Sequence, residues 1–213
     1  KPDEVDNLLT SFAPDYIYNL SGPSSVYESL KNEKVKTEII NIFNNLVSSL
    51  IKNKNFCNFF QASSSEMFGI NNDEYLNEKS QFNPNSPYAK AKLENHMSIE
   101  NLRTEYEWEI YSGIMFNHES EYRKNNYLFM KIINTAINIS KGSEDNLTLG
   151  STEYIRDWSY AKDVSQAVFK ITNYGKEGTY VIGSGIEHKI IDIVENVFKY
   201  LKLNWEEHLY IDN

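Results

Sequence analysis

The chain has 213 residues and a formal net charge of −9, with 40% of its residues apolar and 14% aromatic. That supplies a real core for one domain, or a domain and a half, and argues against disorder. The acidic balance argues against a nucleic-acid binder, which carries a basic face, and no apolar stretch reaches the roughly 18 residues that read as a membrane span. The single cysteine, Cys57, sits in an apolar run and reads as a buried small hydrophobe. One cysteine leaves no disulfide framework within the chain and fits a reducing, cytoplasmic setting.

In chain order, Tyr16 to Leu20 reads as a buried strand. Val35 to Lys52 reads as a helix, with Ile39, Ile42, Phe43, Leu46, Val47 and Leu50 at helical spacing. Phe56 to Ala62 is a second buried strand, and Tyr88 to Tyr106, after Pro84 and Pro87, a long polar-faced helix. A strand over Ile110 to Phe116, a helix over Tyr127 to Ser140 and a short strand over Leu147 to Leu149 follow. The series ends with a helix over Ala161 to Thr172, a strand over Thr179 to Ile182 and a helix over Ile190 to Leu201. Strands alternating with helices imply βαβ units and a mainly parallel, doubly wound sheet of the α/β class. Ligands of such sheets sit beyond the carboxyl ends of the strands.

Those ends carry the chemistry. Ser63, Ser64, Ser65 and Glu66 follow the second strand, three hydroxyls and a carboxylate that also suit a capped turn. Tyr88 and Lys92 stand four apart at a helix start and so share a face. A nearby ammonium favours the phenolate and brings a tyrosine toward use as a base near neutrality. Spacing alone does not single this pair out, because Tyr27/Lys31, Tyr75/Lys79 and Tyr127/Lys131 share it; the flanking Ser86-Pro87-Tyr88-Ala89-Lys90-Ala91-Lys92 does. Asn117-His118-Glu119-Ser120 follows the third strand, and Arg156-Asp157-Trp158 comes later. His118 alone fits a turn or core histidine, and Arg156-Asp157 alone a surface ion pair.

Five segments in this order carry a resemblance: Pro14 to Leu20, Gln61-Ala62-Ser63-Ser64-Ser65-Glu66-Met67-Phe68-Gly69, Ser86 to Leu93, Gly113-Ile114-Met115-Phe116-Asn117-His118-Glu119-Ser120, and Arg156-Asp157-Trp158. Together they resemble the GDP-mannose 4,6-dehydratase family of extended short-chain dehydrogenases/reductases, from about Pro14 to the last helix. The resemblance implies a partial Rossmann-type sheet over residues 1–120 and a small nucleotide-sugar-binding portion over 121–213. It implies that NADP is the cofactor and GDP-mannose the substrate. Tyr88 would be the base at the C4 hydroxyl, Lys92 its partner and a ribose contact, Ser64 a hydrogen-bond partner of the C4 oxygen, and Glu66 the acid/base at C5 and C6. Leu20, Ser21, Gln61, Ala62 and His118, with Tyr88 and Lys92, would line the cofactor. Asn117, Lys131 and Arg156, with Ser64 and Glu66, would bind the substrate. No metal, nucleic acid or membrane enters this scheme; the helices over 35–52 and 88–106 stand where the family often dimerises, so the resemblance implies a homo-oligomer, a dimer or a tetramer.

The family's Gly-x-x-Gly-x-x-Gly phosphate loop does not occur among these residues, and Lys1 is not methionine. The chain is therefore expected to be a fragment of a longer protein at both ends, with weakened cofactor affinity and turnover. Glu121-Tyr122-Arg123-Lys124 also stands where the family shows Pro-Arg-Arg-Gly. The alternatives are a related nucleotide-sugar epimerase or reductase, in which an acid at position 66 is not expected, and a non-catalytic remnant that serves as a binding or assembly partner.

Overall fold

The computed structural model describes residues 1–70, 75–143 and 145–212. In chain order its elements are α1 (Pro2–Phe12), β1 (Tyr16–Asn19), α2 (Val26–Lys31), α3 (Lys34–Lys52), β2 (Asn58–Ser64), α4 (Pro87–Tyr106), β3 (Ile110–Met115) and β4 (Asn117–Glu119). They continue with α5 (Leu128–Ser140), β5 (Leu147–Leu149), β6 (Ile155–Tyr160), α6 (Ala161–Tyr174), β7 (Gly178–Ile182), β8 (Glu187–Lys189), α7 (Ile190–Tyr200) and β9 (Leu209–Ile211). Two compact units share them: residues 1–116 with 164–182, and residues 117–163 with 183–213. The chain thus passes between units three times, where the sequence reading draws one division at residue 120.

The first unit holds a sheet of order β1-β2-β3-β7, all parallel. Parallel neighbours need long crossovers, and α3 and α4 make two of them. Strand β2 is buried on both faces from Phe59 to Ser64, its polar Gln61, Ser63 and Ser64 included. On one face Phe59 packs with Phe43, Leu50, Ile99 and Trp108; on the other Phe60 packs with Tyr111, Val164, Val168 and Ile182. Full burial of each ring contributes roughly 2–3 kcal/mol. The Trp108 indole N–H is satisfied by the Cys57 carbonyl (2.6 Å). Cys57 is itself buried, and burial raises its thiol to about 11.

Helix α3 buries Ile39, Phe43, Val47 and Leu50 of the stripe its spacing predicts, leaves Ile42 and Leu46 half-buried, and buries Val35 as well. Helix α4 starts where Ser86 caps the Ala89 N–H (3.1 Å) and Pro87 takes the first turn. Its polar residues are not all solvated: Lys92, Asn95 and His96 are buried among Ala89, Ala91 and Ile99. At its far end Arg103 donates to the carbonyls of Ile110 (2.7 Å) and Gly178 (2.6 Å) and pairs with Glu100 (2.6 Å), tying the helix to the starts of β3 and β7.

The second unit pairs β4 with β6 in parallel and β6 with β8 antiparallel. A separate parallel pair joins β5 and β9. Helices α5 and α7 bury Ile132, Ala136, Ile139, Val194 and Phe198 with Leu147 and Leu149. The Asp157 carboxylate orders the turn before β8 by accepting from the N–H groups of Ser184 (3.0 Å) and Gly185 (2.8 Å). Among the described residues no helix is long and apolar enough to cross a membrane.

Gly113 lies opposite Ala62 in the β2–β3 register, and a Cβ there would stand 2.5 Å from Phe60 Cζ and 3.1 Å from Ile182 Cδ1. Gly113→Ala is expected to lower stability by about 1–3 kcal/mol. In urea unfolding, Gly113→Ala combined with Phe60→Leu should cost less than the sum of the single variants, because both act on one contact.

Candidate active site

The carboxyl ends of β1 and β2 and the first turns of α4 bring one set of predicted residues together in the first unit. Ser64 ends β2 and begins a 3₁₀ turn over Ser65–Met67, its Oγ accepting from the Glu66 N–H (3.3 Å). Glu66 thus leaves the sheet on a turn that its neighbour caps, and that turn packs against α4. Met67 and Phe68 anchor it beneath, packed with Ile114, Leu93 and Phe116. Gly69 (φ 60°) closes the segment; a Cβ there would overlap the Asn83 carbonyl, so the close return of the chain needs a glycine.

Tyr88 and Lys92 share a helix face as expected, with Lys92 Nζ 5.7 Å from the Tyr88 ring centroid. Tyr88 packs with Val35, Ile39 and Ala91, and its N–H donates to Ser29 Oγ (3.3 Å). Lys92 is 6% exposed, and its ammonium donates to the Ala62 carbonyl (2.8 Å). Burial holds that ammonium down, to about 8 against an ordinary 10.5. It therefore remains mostly charged at neutral pH.

Ala62 O has a second donor, Gln61 Nε2 (3.1 Å). Gln61 Oε1 in turn accepts from Asn19 Nδ2 (2.7 Å), and Asn19 Oδ1 accepts from the Ser21 hydroxyl (2.5 Å) and N–H (3.3 Å). A continuous polar run thus crosses from the end of β1 to α4. It includes the predicted Ser21, Gln61, Ala62 and Lys92, while Leu20 beside it is exposed. Asn19 and Ser29 were not singled out in the sequence; the only signal was a polar residue ending an apolar strand, or a serine beside a helix start.

The remaining predicted residues lie in the second unit. Asn117 and His118 are on β4, opposite Trp158 and Ser159 of β6, and Arg156 is on the same β6 strand. The Arg156 guanidinium donates to the Ile155 carbonyl (2.8 Å) and lies 5.7 Å from the Tyr154 ring centroid. Lys131, on α5, donates to the Thr148 carbonyl (2.6 Å) of β5. Arg123 is committed to Glu119 (2.7 Å), to the His118 carbonyl (2.5 Å) and to the Tyr127 ring, whose centroid is 4.6 Å away.

The sequence model described as GDP-mannose 4,6 dehydratase matches residues 1–211. The chain belongs to the GDP-mannose 4,6-dehydratase family. It is 33% identical over 209 residues to GDP-mannose 4,6 dehydratase 1 of Arabidopsis thaliana, covering 96% of this chain and 58% of that protein. To the Homo sapiens GDP-mannose 4,6 dehydratase it is 29% identical over 204 residues, with 93% and 55% covered. The chain therefore spans less than two thirds of the length of these dehydratases. Among solved structures, RMD from Pseudomonas aeruginosa complexed with NADPH superposes with a TM-score of 0.91 at 21% identity, covering 100% of this chain and 72% of that one. DesIV from Streptomyces venezuelae, a dTDP-glucose 4,6-dehydratase with NAD and TYD bound, gives 0.87 at 19%, covering 100% and 64%. These likenesses establish the Rossmann-type fold that the resemblance implied and the parallel α/β class that the alternation of strands and helices implied.

The depressed Lys92 value has a signed consequence. Folded, the group sheds its proton near pH 8; unfolded, near 10.5. Its burial cost is fully present below about pH 8, and stability rises as pH climbs from about 8 to 10.5. Urea unfolding is expected to show this rise, on the order of 3 kcal/mol, in the parent chain relative to Lys92→Met.

Proposed function

We propose that this chain carries the catalytic centre of a GDP-mannose 4,6-dehydratase that forms GDP-4-dehydro-6-deoxy-mannose and water, with Ser64, Glu66, Tyr88 and Lys92 as its catalytic residues. The observation that carries the reading is a carboxylate on a capped turn after β2, packed against the helix that presents a tyrosine with a buried ammonium beside it. The family and the names of its relatives supply the substrate.

Tyr88 acts as the phenolate, which the neighbouring Lys92 ammonium stabilises, and takes the proton of the C4 hydroxyl to become the neutral phenol. Ser64 Oγ hydrogen-bonds the C4 oxygen. Once C4 is a ketone, the C5 proton is acidic enough for the Glu66 carboxylate to remove, and Glu66 returns a proton to the C6 hydroxyl as it leaves as water. In the second unit, Asn117, Lys131 and Arg156 hold the GDP portion, two cations against a diphosphate.

NADP, when bound, supplies the acceptor and donor of the hydride that leaves C4 and returns at C6. The residues present fit its nicotinamide and ribose end. The Lys92 ammonium makes one hydrogen bond among the described residues and has three N–H groups. Leu20, Ser21, Gln61 and Ala62 line the strand ends beside it, and His118 is assigned to the cofactor as well. The bound NADPH of one structural relative and NAD of another support a nicotinamide cofactor. A homo-oligomer and a cytoplasmic setting belong to the same proposal.

The test is incubation with GDP-mannose and NADP, followed by mass spectrometry of the nucleotide sugar. It is run on this chain alone and on the chain extended upstream by a Gly-x-x-Gly-x-x-Gly strand–helix segment. Loss of one water in either supports the reading; an extended chain that binds NADP yet leaves the mass unchanged overturns it. In the active form Tyr88→Phe is expected to reduce turnover by about 10²–10⁴-fold. Glu66→Gln should abolish water loss; water loss retained in that variant would overturn the role given to Glu66 as the acid/base at C5 and C6.

A further inference from the structure

One turn beyond Lys92 on α4 lies His96, part of a polar cluster that the proposed reaction does not use. His96 Nδ1 is 2.9 Å from Ser112 Oγ and 3.5 Å from Ser63 Oγ, and the two serine hydroxyls are 2.9 Å apart. Ser63, His96 and Ser112 are 3%, 4% and 0% exposed. They come from three elements, β2, α4 and β3. The His96 ring also meets Phe82 edge to face, with centroids 5.3 Å apart. The charged groups that act on it are Glu100 and Arg103 of its own helix.

Tyr88, Lys92 and His96 follow one another at intervals of four along one helix face. Lys92 grips the Ala62 carbonyl, and His96 with Ser112 grips the next residue, Ser63. Apolar contacts around β2 are non-directional and leave its position along the helix loosely set. Hydrogen bonds tolerate only a few tenths of an ångström, so this cluster sets that position.

We infer that Ser63, His96 and Ser112 are positioning residues that fix the end of β2 against α4, so that Lys92 stays on the Ala62 carbonyl and Ser64 and Glu66 leave the strand at a set height relative to Tyr88. What is positioned rests on the dehydratase reading; the hold on Lys92 does not. Burial keeps the imidazole below its ordinary value, so it is neutral at neutral pH. A neutral ring bears one donor and one acceptor, either of which a serine hydroxyl can match.

The experiment follows the ¹³Cε resonance of Lys92 through a pH titration of the full chain, with the signal assigned by its absence in Lys92→Arg. The groups facing this ammonium are the Tyr88 ring and the Ala62 carbonyl. In the parent chain the midpoint is expected near 8. In Ser112→Ala and His96→Phe, water should reach the ammonium and the midpoint should rise by about one pH unit or more. Ser112→Thr, which keeps the hydroxyl, should titrate as the parent. Ile132→Ala, a core variant of the second unit, should lower the unfolding temperature without moving the Lys92 midpoint.

A midpoint unmoved in folded Ser112→Ala overturns the inference. So does an equal movement in Ile132→Ala, or a parent midpoint at the ordinary lysine value. Because the readout needs no turnover, a chain without dehydratase activity would leave this result standing and would count against the functional reading alone.

Discussion

A positive charge held inside the first unit organises much that surrounds it. Water solvates an ammonium far better than packed side chains do, so Lys92 is tolerable only where a good acceptor meets it. That acceptor is the Ala62 carbonyl, on the central strand pair and close to the carboxyl end of β2. The same oxygen takes Gln61 Nε2, and through Asn19 the run continues to Ser21 at the end of β1. Two strands and a helix are thus joined by polar contacts where a protein of this fold would otherwise rely on shape. Replacing any member with an apolar residue leaves a neighbour unsatisfied, which is why such runs hold a single arrangement.

The arrangement gives α4 an unusual inner face. Helices that cover a sheet usually present leucine and isoleucine; α4 presents Tyr88, Lys92 and His96, with alanines that let the backbone come close. Apolar cover is supplied instead by Phe68, Phe82 and Phe116 around the turn that carries Glu66. Tyr88 and Lys92 therefore sit on a helix and Ser64 on a strand end, while Glu66 lies on a capped turn packed against that helix.

Much of this was readable in the sequence where a signal was long and local. Strands β1, β2, β3, β5 and β7 and helices α3 to α7 fall where the residue pattern places them, α3 by its apolar spacing and α4 by the prolines before it. Helices α1 and α2 were not read, and neither were β4, β6, β8 and β9. These four strands owe their existence to partners: β6 carries Arg156 and Asp157 and buries none of its six residues fully, so it shows neither an apolar run nor a clean alternation. The site shows the same divide. Tyr88 with Lys92, and Ser64 with Glu66, are neighbours in the chain and could be paired on paper. Asn19 with Gln61, Ser29 with Tyr88, and Ser112 with His96 are joined only by folding. A buried lysine and histidine in a helix look, in sequence, like a solvated face, and only their acceptors show otherwise.

The order of the sheet has a consequence for synthesis. Strand β7, which pairs with β3, belongs to the first unit but follows residues 117–163 of the second. A chain emerging from the ribosome therefore presents β1, β2 and β3 with the β3 edge unpaired while the whole of that intervening stretch is made. Helix α6, whose Val164 and Val168 cover Phe60, arrives only just before β7. Through that interval one face of β2 lacks its cover and β3 offers an open edge, the state in which nascent sheets meet one another or a chaperone.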